Sequence, residues 1–406
     1  MTISPARRAA HEVLLRVFEH DAFADRALTT AAAGLDERDR ALARRLAYGA
    51  VQRVRTIDHA IEALGGRRVA KLDPPVRAAL RLGTYQLGWL DGVARYAAVN
   101  ESVELVRRAR LERAVPFANA VLRRVADGIG PLLEALPDGP LKESYPDWIW
   151  DIWRRDLGDE EALALMRAQN EPLPTVVRLI RGEAPGEPDP DVPGAFHVPR
   201  VDEAALAEGR IWPQSAASQL AGLAVGARDG ERTLDLCAAP GGKATMLAGD
   251  VVAVELHPGR ASELRANVAR LGVADRVTVV EADGLALPDD LDGFDRALVD
   301  APCSGTGVLA GRPDLRWRAE PLPELQLALV RAAAARVRPG GAVLYSVCAV
   351  NADENEAVVD ASGLEPDPSL AEEWPQFRHP TRPEFLLTLP HRDRTSGFFI
   401  ARLRKA

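Results

Sequence analysis

Beyond Arg232 the helical spacing that dominates the start of the chain gives way to short apolar runs separated by helical stretches. The runs cover 233–237, 251–255, 277–280, 297–300 and 342–346, with helices such as 258–271 and 322–337 between them. Strands that alternate with helices pair in parallel, because each crossover helix returns the chain to the same end of the sheet. The pattern predicts a doubly wound, mostly parallel α/β sheet of Rossmann-like type over 226–406. Ligands of such sheets bind beyond the carboxyl ends of the strands, so the turns there carry the candidate chemistry.

The first 127 residues read as helices. Val13, Leu14, Val17 and Phe18 form an apolar stripe, and Leu42, Leu46, Ala50, Val54 and Ile57 continue the pattern. Gly65-Gly66, Asp73-Pro74-Pro75 and Asp91-Gly92 punctuate them. Arg44, Arg45, Arg53 and Arg55 lie largely off the stripes and read as a solvated face. An all-α domain is expected over 1–130, a Gly- and Pro-rich linker over 128–140, and a small α+β connecting subdomain over 141–225 with a strand at 175–180.

The formal charge of −8 is unevenly shared. Residues 1–140 carry 22 Lys and Arg against 17 Asp and Glu, and the remainder carries 29 against 42. A basic helical module joined to an acidic one suits a polyanionic partner despite the negative total. No low-charge apolar run reaches the roughly 18 residues of a membrane span. Residues 1–10 lack the apolar core of a secretory signal, so a cytoplasmic location is expected. Cys237, Cys303 and Cys348 are too few for a disulfide framework and too widely spaced for a zinc cluster, and no metal is expected. His391 and the other histidines form no metal or triad pattern.

The first strand of the α/β region ends at Asp235 and runs into Cys237-Ala238-Ala239-Pro240-Gly241-Gly242-Lys243, with a helix expected from about Ala244. The dinucleotide pattern G-x-G-x-x-G is absent, and the P-loop pattern fails because Ala244 stands where Ser or Thr is needed. A ligand that needs close backbone approach but no phosphate cradle fits better, namely S-adenosyl-L-methionine. Glu255 ends the next strand, where a carboxylate can accept both ribose hydroxyls. Asp283 follows the third strand and can meet the adenine edge, and Asp300 ends the fourth. Cys237, among apolar neighbours, reads as part of the turn. Lys243 can orient the cofactor, approach the substrate or form a salt bridge.

Asp300-Ala-Pro-Cys303-Ser-Gly-Thr-Gly307 and Tyr345-Ser-Val-Cys348 bring two cysteines to that same sheet edge, with Glu354-Asn355-Glu356 just beyond. On DLCAAPGGK at 235–243, DAPCSGTG at 300–307, RPDLRW at 312–317 and YSVC…ENE at 345–356, the sequence resembles the bacterial 16S rRNA cytosine-C5 methyltransferases of the Fmu/Sun (RsmB) type, in the NOL1/NOP2/Sun family. Phe117-Ala-Asn-Ala-Val-Leu-Arg-Arg124 resembles that family's NusB-like helical domain, and 144–148 and 214–220 resemble its connecting region. Val347 stands where threonine is usual, 179–181 lacks a usual asparagine, and Ser396-Gly-Phe-Phe399 lacks a usual acid.

The resemblance implies methyl transfer from S-adenosyl-L-methionine to C5 of a cytosine in RNA, usually position 967 of 16S rRNA, with naked RNA or an early small-subunit particle as partner. It implies Cys348 as nucleophile and Cys303 as the group that assists product release. Asp300 suits the cytosine N3 and exocyclic amine. A reading from Pro-Cys alone would choose Cys303 as nucleophile. Arg312, Asp314, Arg316 and Trp317 suit RNA backbone contacts and base stacking, with a place in the buried core as the alternative for Trp317. A monomer is expected. The alternatives are the same chemistry on tRNA or another rRNA cytosine, and a non-catalytic NusB-like RNA-binding factor.

Overall fold

A computed structural model describes residues 3–405. The chain forms two compact units, one comprising the residues up to Asn170 together with Leu309–Arg318, the other Glu171–Val308 and Ala319 onward.

The first unit is helical. Its opening helix, Pro5–Glu19, starts where the Ser4 hydroxyl accepts the Arg7 N–H and Pro5 pre-sets the first turn. Asp36 caps Glu37–Gln52 in the same way, and Gly66, at φ 70°, closes Val54–Gly65 in the left-handed conformation. Val13, Leu14, Leu46, Ala50 and Ile57 are buried in the shared core, with Phe18 and Leu42 packed against it. Arg44 and Arg45 are exposed. Arg53 and Arg55 are not a solvated face, since they meet Glu143 at 3.6 Å and Asp147 at 2.8 Å.

The Gly- and Pro-rich stretch is not an extended linker from its start. The helix Val115–Ala135 runs through Gly128, Gly130 and Pro131. Gly128 serves packing there, because a Cβ would meet Leu64 Cδ2 at 2.8 Å, and Ile129 and Leu133 join the core. Helices Asp147–Leu157 and Asp159–Ala168 complete this unit, with Tyr145 and Trp153 fully buried.

The second unit holds two sheets. Strands β1 (Val176–Leu179), β2 (Glu187–Pro188), β3 (Ala195–His197) and β4 (Ile211–Pro213) form a small antiparallel sheet in the order β2-β3-β1-β4. The large sheet contains β5 (Arg232–Asp235), β6 (Asp250–Glu255), β7 (Val277–Glu281), β8 (Phe294–Asp300), β9 (Val337–Val347), β10 (Glu365–Pro366), β11 (Leu386–Thr388) and β12 (Phe398–Arg404). Its order is β10-β12-β9-β8-β5-β6-β7, with β11 pairing to β12. Strands β5 to β9 are parallel, and β12 runs antiparallel to β9. This is the mostly parallel, doubly wound sheet that the alternation predicts.

The chain builds outward from β5 through β6 to β7, then returns to lay β8 on the other side of β5. That reversal is the topological switch point, where a crevice opens at the carboxyl ends of β5 and β8. Beneath it the core comprises Leu220, Leu298, Leu344 and Ile400 among others. One local expectation changes: after Lys243 there is a single 3₁₀ turn, Ala244–Met246, instead of a full helix. Only 244–249 remain before β6 begins, and Gly249, at φ 69°, already reverses the chain.

Candidate active site

The turn after β5 is held by side-chain donors from two elements, the helix Pro258–Leu271 and β1. Arg260 donates to the Ala239 carbonyl at 2.7 Å, and Asn267 donates to that of Pro240 at 2.9 Å. From β1, Arg178 donates to the Gly242 carbonyl at 2.7 Å and to Thr245 Oγ1 at 2.8 Å. Gly241 sits at φ 107°, a backbone conformation that requires glycine, and a Cβ there would also press on Leu264 Cδ1 at 2.7 Å.

Asp235, 1% exposed, accepts the Cys237 N–H through Oδ1 at 3.4 Å, while its buried Oδ2 has no partner. Burial, reinforced by the Asp300 carboxylate, pushes its pKa up to about 7. Burial likewise raises the Cys237 thiol, which fits a part of the turn and not a nucleophile. Glu255 is buried at the end of β6, accepting the His257 N–H at 2.9 Å and facing Arg260 at 3.6 Å. Asp283 is exposed beyond β7 and accepts the Leu285 N–H at 2.9 Å. Lys243 pairs with Asp300 Oδ2 at 2.7 Å and lies 5.1 Å from the centroid of Phe398. Asp300 Oδ1 accepts the Ser346 hydroxyl at 2.8 Å.

Beside this pair the two thiols meet. Cys303 follows β8, Cys348 follows β9, and their Sγ atoms are 3.4 Å apart, both unbridged. The hydrogen bond to Cys348 and burial raise the Cys303 pKa. Gly307 N–H donates to the Cys348 carbonyl at 2.8 Å, and Gly397 N–H donates to that of Gly307 at 2.8 Å. A Cβ on Gly307 would overlap the Gly397 carbonyl, so the two loops and β12 pack backbone against backbone.

The family model described as 16S rRNA methyltransferase RsmB/F matches residues 223–404, and the NusB family model matches 4–127. The ribosomal RNA small subunit methyltransferase B of Thermus thermophilus is 36% identical over 91% of this chain and 89% of its own. The probable ribosomal RNA small subunit methyltransferase B of Synechocystis sp. is 33% identical over 99% of both. The chain belongs to the RsmB/F methyltransferase family. The crystal structure of PH0851 shares the fold over 100% of both chains, with a TM-score of 0.79 at 24% identity.

In this RsmB/F member, Glu354 has a structural part that the sequence reading left without a role. Fully buried, its carboxylate accepts from Ser304 N–H at 2.9 Å, Gln326 at 2.8 Å, Asn351 at 2.7 Å and Leu322 N–H at 3.1 Å, and also from the Ser304 hydroxyl. The Glu354 carbonyl in turn accepts the buried Tyr345 hydroxyl at 2.6 Å. One residue thus ties the loop after Cys303 to the loop after Cys348. Its signal was the motif spacing alone; nothing local marks a carboxylate for burial. Ser346 and Arg178 carried no such signal.

The expectation for RPDLRW changes more. Within the helical unit Arg316 is fully buried, donating to Asn170 Oδ1 at 2.8 Å and the Gln169 carbonyl at 2.9 Å, with Tyr145 stacked 3.9 Å away. Trp317 donates to the Val51 carbonyl at 2.8 Å, and Asp314 is buried. Arg312 lies over the Phe23 ring at 5.4 Å. The terminal nitrogens of Arg316 and the indole N–H of Trp317 are spent on the protein, which gives both a packing role and places Trp317 in the core, whereas Arg312 Nε and both Asp314 carboxylate oxygens are buried with no hydrogen-bond partner. Among the described residues no group of three or more metal-binding side chains occurs, and no helix is long and apolar enough to cross a membrane.

Proposed function

We propose that the chain methylates C5 of a cytosine in small-subunit ribosomal RNA, with S-adenosyl-L-methionine as donor and Cys348 as nucleophile. The observation that carries this reading is the pair of unbridged thiols 3.4 Å apart beside the Lys243–Asp300 salt bridge. Names of relatives in Thermus thermophilus and Synechocystis support the RNA class.

The residues of the crevice fit the donor. The turn 237–243 leaves no side chain at Gly241 and Gly242, and the unpartnered buried Oδ2 of Asp235 is an acceptor suited to a cationic ligand. Glu255 would take the ribose hydroxyls and Asp283 the adenine edge. When bound, the cofactor supplies an electrophilic methyl group.

Cytosine C5 is a poor nucleophile, and the chain's own residues remedy this. The Cys348 thiolate forms a bond to C6, and the electron pair of the C5=C6 double bond makes C5 nucleophilic. After methylation a water molecule takes the C5 proton, the C5–H bonding pair restores the double bond, and the S–C6 bond breaks with its electrons returning to sulfur. Cys303 donates a hydrogen bond to Cys348 and assists that release. Asp300, held between Lys243 and Ser346, faces the charge changes at N3 and the exocyclic amine. The target base must be unpaired or flipped to reach the thiol.

The test pairs bisulfite sequencing of 16S rRNA with gel trapping. Cys348→Ala abolishes both turnover and the covalent adduct, whereas Cys303→Ala accumulates the adduct. The reverse pattern would overturn the two roles, and a deletion strain still methylated at position 967 would overturn that target.

A further inference from the structure

Arg178 belongs to none of the motifs that form the site, yet it is 5% exposed and reaches the turn after β5 from β1. Its Nη1 donates to the Gly242 carbonyl at 2.7 Å and its Nη2 to Thr245 Oγ1 at 2.8 Å, while its buried Nε has no partner. Among the described residues no carboxylate pairs with it. Burial, with the Arg276 guanidinium nearby, pulls its pKa down to about 10. A buried cation without a counter-charge costs more than an apolar side chain of similar length, so packing alone does not account for an arginine here.

The carbonyls it holds are those of the two glycines. Thr245 Oγ1, which accepts from Arg178, donates to the Gly241 carbonyl at 2.7 Å. One guanidinium therefore fixes the Gly242 carbonyl directly and the Gly241 carbonyl through a hydroxyl. Across a trans peptide the N–H points opposite to the C=O. The Gly242 and Lys243 N–H groups thus point away from Thr245 and Arg178, and neither has an acceptor among the described residues. Strand β4, paired with β1, closes on the same point, since a Cβ on Gly242 would meet Trp212 Nε1 at 3.0 Å.

We propose that Arg178 is a positioning residue for the cofactor, holding the Gly241–Gly242–Lys243 backbone so that its two free N–H groups receive the methionyl carboxylate of S-adenosyl-L-methionine. That carboxylate is the only anion of the molecule, and successive backbone N–H groups form an anion-binding concavity. Arg178 acts through Gly242 and Thr245, not by contact with the ligand. The inference rests on the S-adenosyl-L-methionine reading of the crevice, and it gives the small antiparallel sheet a part in cofactor binding.

The test is isothermal titration calorimetry of the full chain with two ligands, S-adenosyl-L-methionine and its decarboxylated form, S-adenosyl-3-(methylthio)propylamine, which keeps the adenosine, sulfonium and amine. Arg178→Met keeps an apolar stem and removes both donors. It weakens S-adenosyl-L-methionine about tenfold to hundredfold, the loss of one hydrogen bond to a charged group, and changes the affinity of the propylamine by less than about twofold. Thr245→Val removes the relay to Gly241 while keeping the side-chain shape, and weakens the carboxylate-bearing ligand about twofold to tenfold with the same selectivity. Circular dichroism melts identify the variants that remain folded, and Thr245→Val carries the test should Arg178→Met unfold. Equal loss of both ligands overturns positioning in favour of packing. Wild-type affinity for S-adenosyl-L-methionine in the folded variants overturns the inference and leaves the cofactor reading intact. Failure of the unaltered chain to bind S-adenosyl-L-methionine overturns that reading itself.

Discussion

Replacing Glu354 tests whether a buried carboxylate positions the thiols. In Glu354→Ala five hydrogen bonds lose their acceptor: two backbone N–H groups, at Ser304 and Leu322, and the side chains of Gln326, Asn351 and Ser304. Each buried donor left unmade costs about 1–3 kcal/mol. The Ser304 hydroxyl can turn to Thr306 Oγ1, 3.5 Å away, and water can enter the space left, so the costs do not sum fully. A loss of about 3–5 kcal/mol is expected, at the upper end for a single substitution. Glu354→Gln keeps one acceptor but turns an NH₂ toward Asn351 Nδ2, another donor, whose Oδ1 is already engaged by Glu354 N–H at 2.8 Å. That variant should lose about 1–3 kcal/mol. Urea unfolding measures both losses. Because Ser304 adjoins Cys303, the folded Gln variant should also show altered alkylation of the thiol pair by N-ethylmaleimide and a lower kcat with little change in cofactor affinity. Unfolding free energies within about 0.5 kcal/mol of wild type, together with unchanged alkylation, would refute the clamp.

Arg316→Ala should destabilise the helical unit by about 3–5 kcal/mol in urea titrations, since it removes a buried guanidinium bonded to Asn170 and Gln169 and stacked on Tyr145; a loss below about 1 kcal/mol contradicts that packing role. Asp235 predicts a pH effect in cofactor-free protein. Its folded pKa of about 7 exceeds the ordinary aspartate value of 3.8, so the folded state holds the proton more tightly and stability falls as pH rises from about 4 to 7. Asp235→Asn should flatten that decline, and an unchanged slope would exclude Asp235 as its source. Gly307→Ala should cost about 1–3 kcal/mol or more by forcing the Gly397 backbone away, whereas Gly130→Ala, with nothing within 4 Å, should be neutral or stabilising in the same thermal melts.

The sheet was legible because its signal is distributed. Five apolar runs alternating with helices leave few topologies, and the observed strands β5 to β9 cover those runs except for the last two residues of the first, which lie beyond Asp235. The stretch 128–140 misleads because glycine and proline are read as breakers when neighbours are unseen. Gly128 is small because Leu64 presses on it, a fact of packing between helices far apart in sequence. The turn after Lys243 misleads for a different reason: glycine turns usually open helices, and the short distance to β6 is visible only once the strand begins at Asp250.

The site divides along the same physical line. Acids at strand ends are legible because topology alone carries Asp235, Glu255 and Asp300 to one edge, whatever their partners. Arg316 and Trp317 show the converse. An Arg-Pro-Asp-Leu-Arg-Trp segment in a predominantly acidic region reads as a tool for RNA, because guanidinium and indole serve phosphate and base as readily as they serve carbonyls and apolar side chains. What decides between these uses is whether the protein has already satisfied the donors. For Arg316 it has at the terminal nitrogens, through Asn170 and Gln169, and only Nε is left without a partner. Sequence supplies the cations; only the account of their partners identifies those that hold the fold.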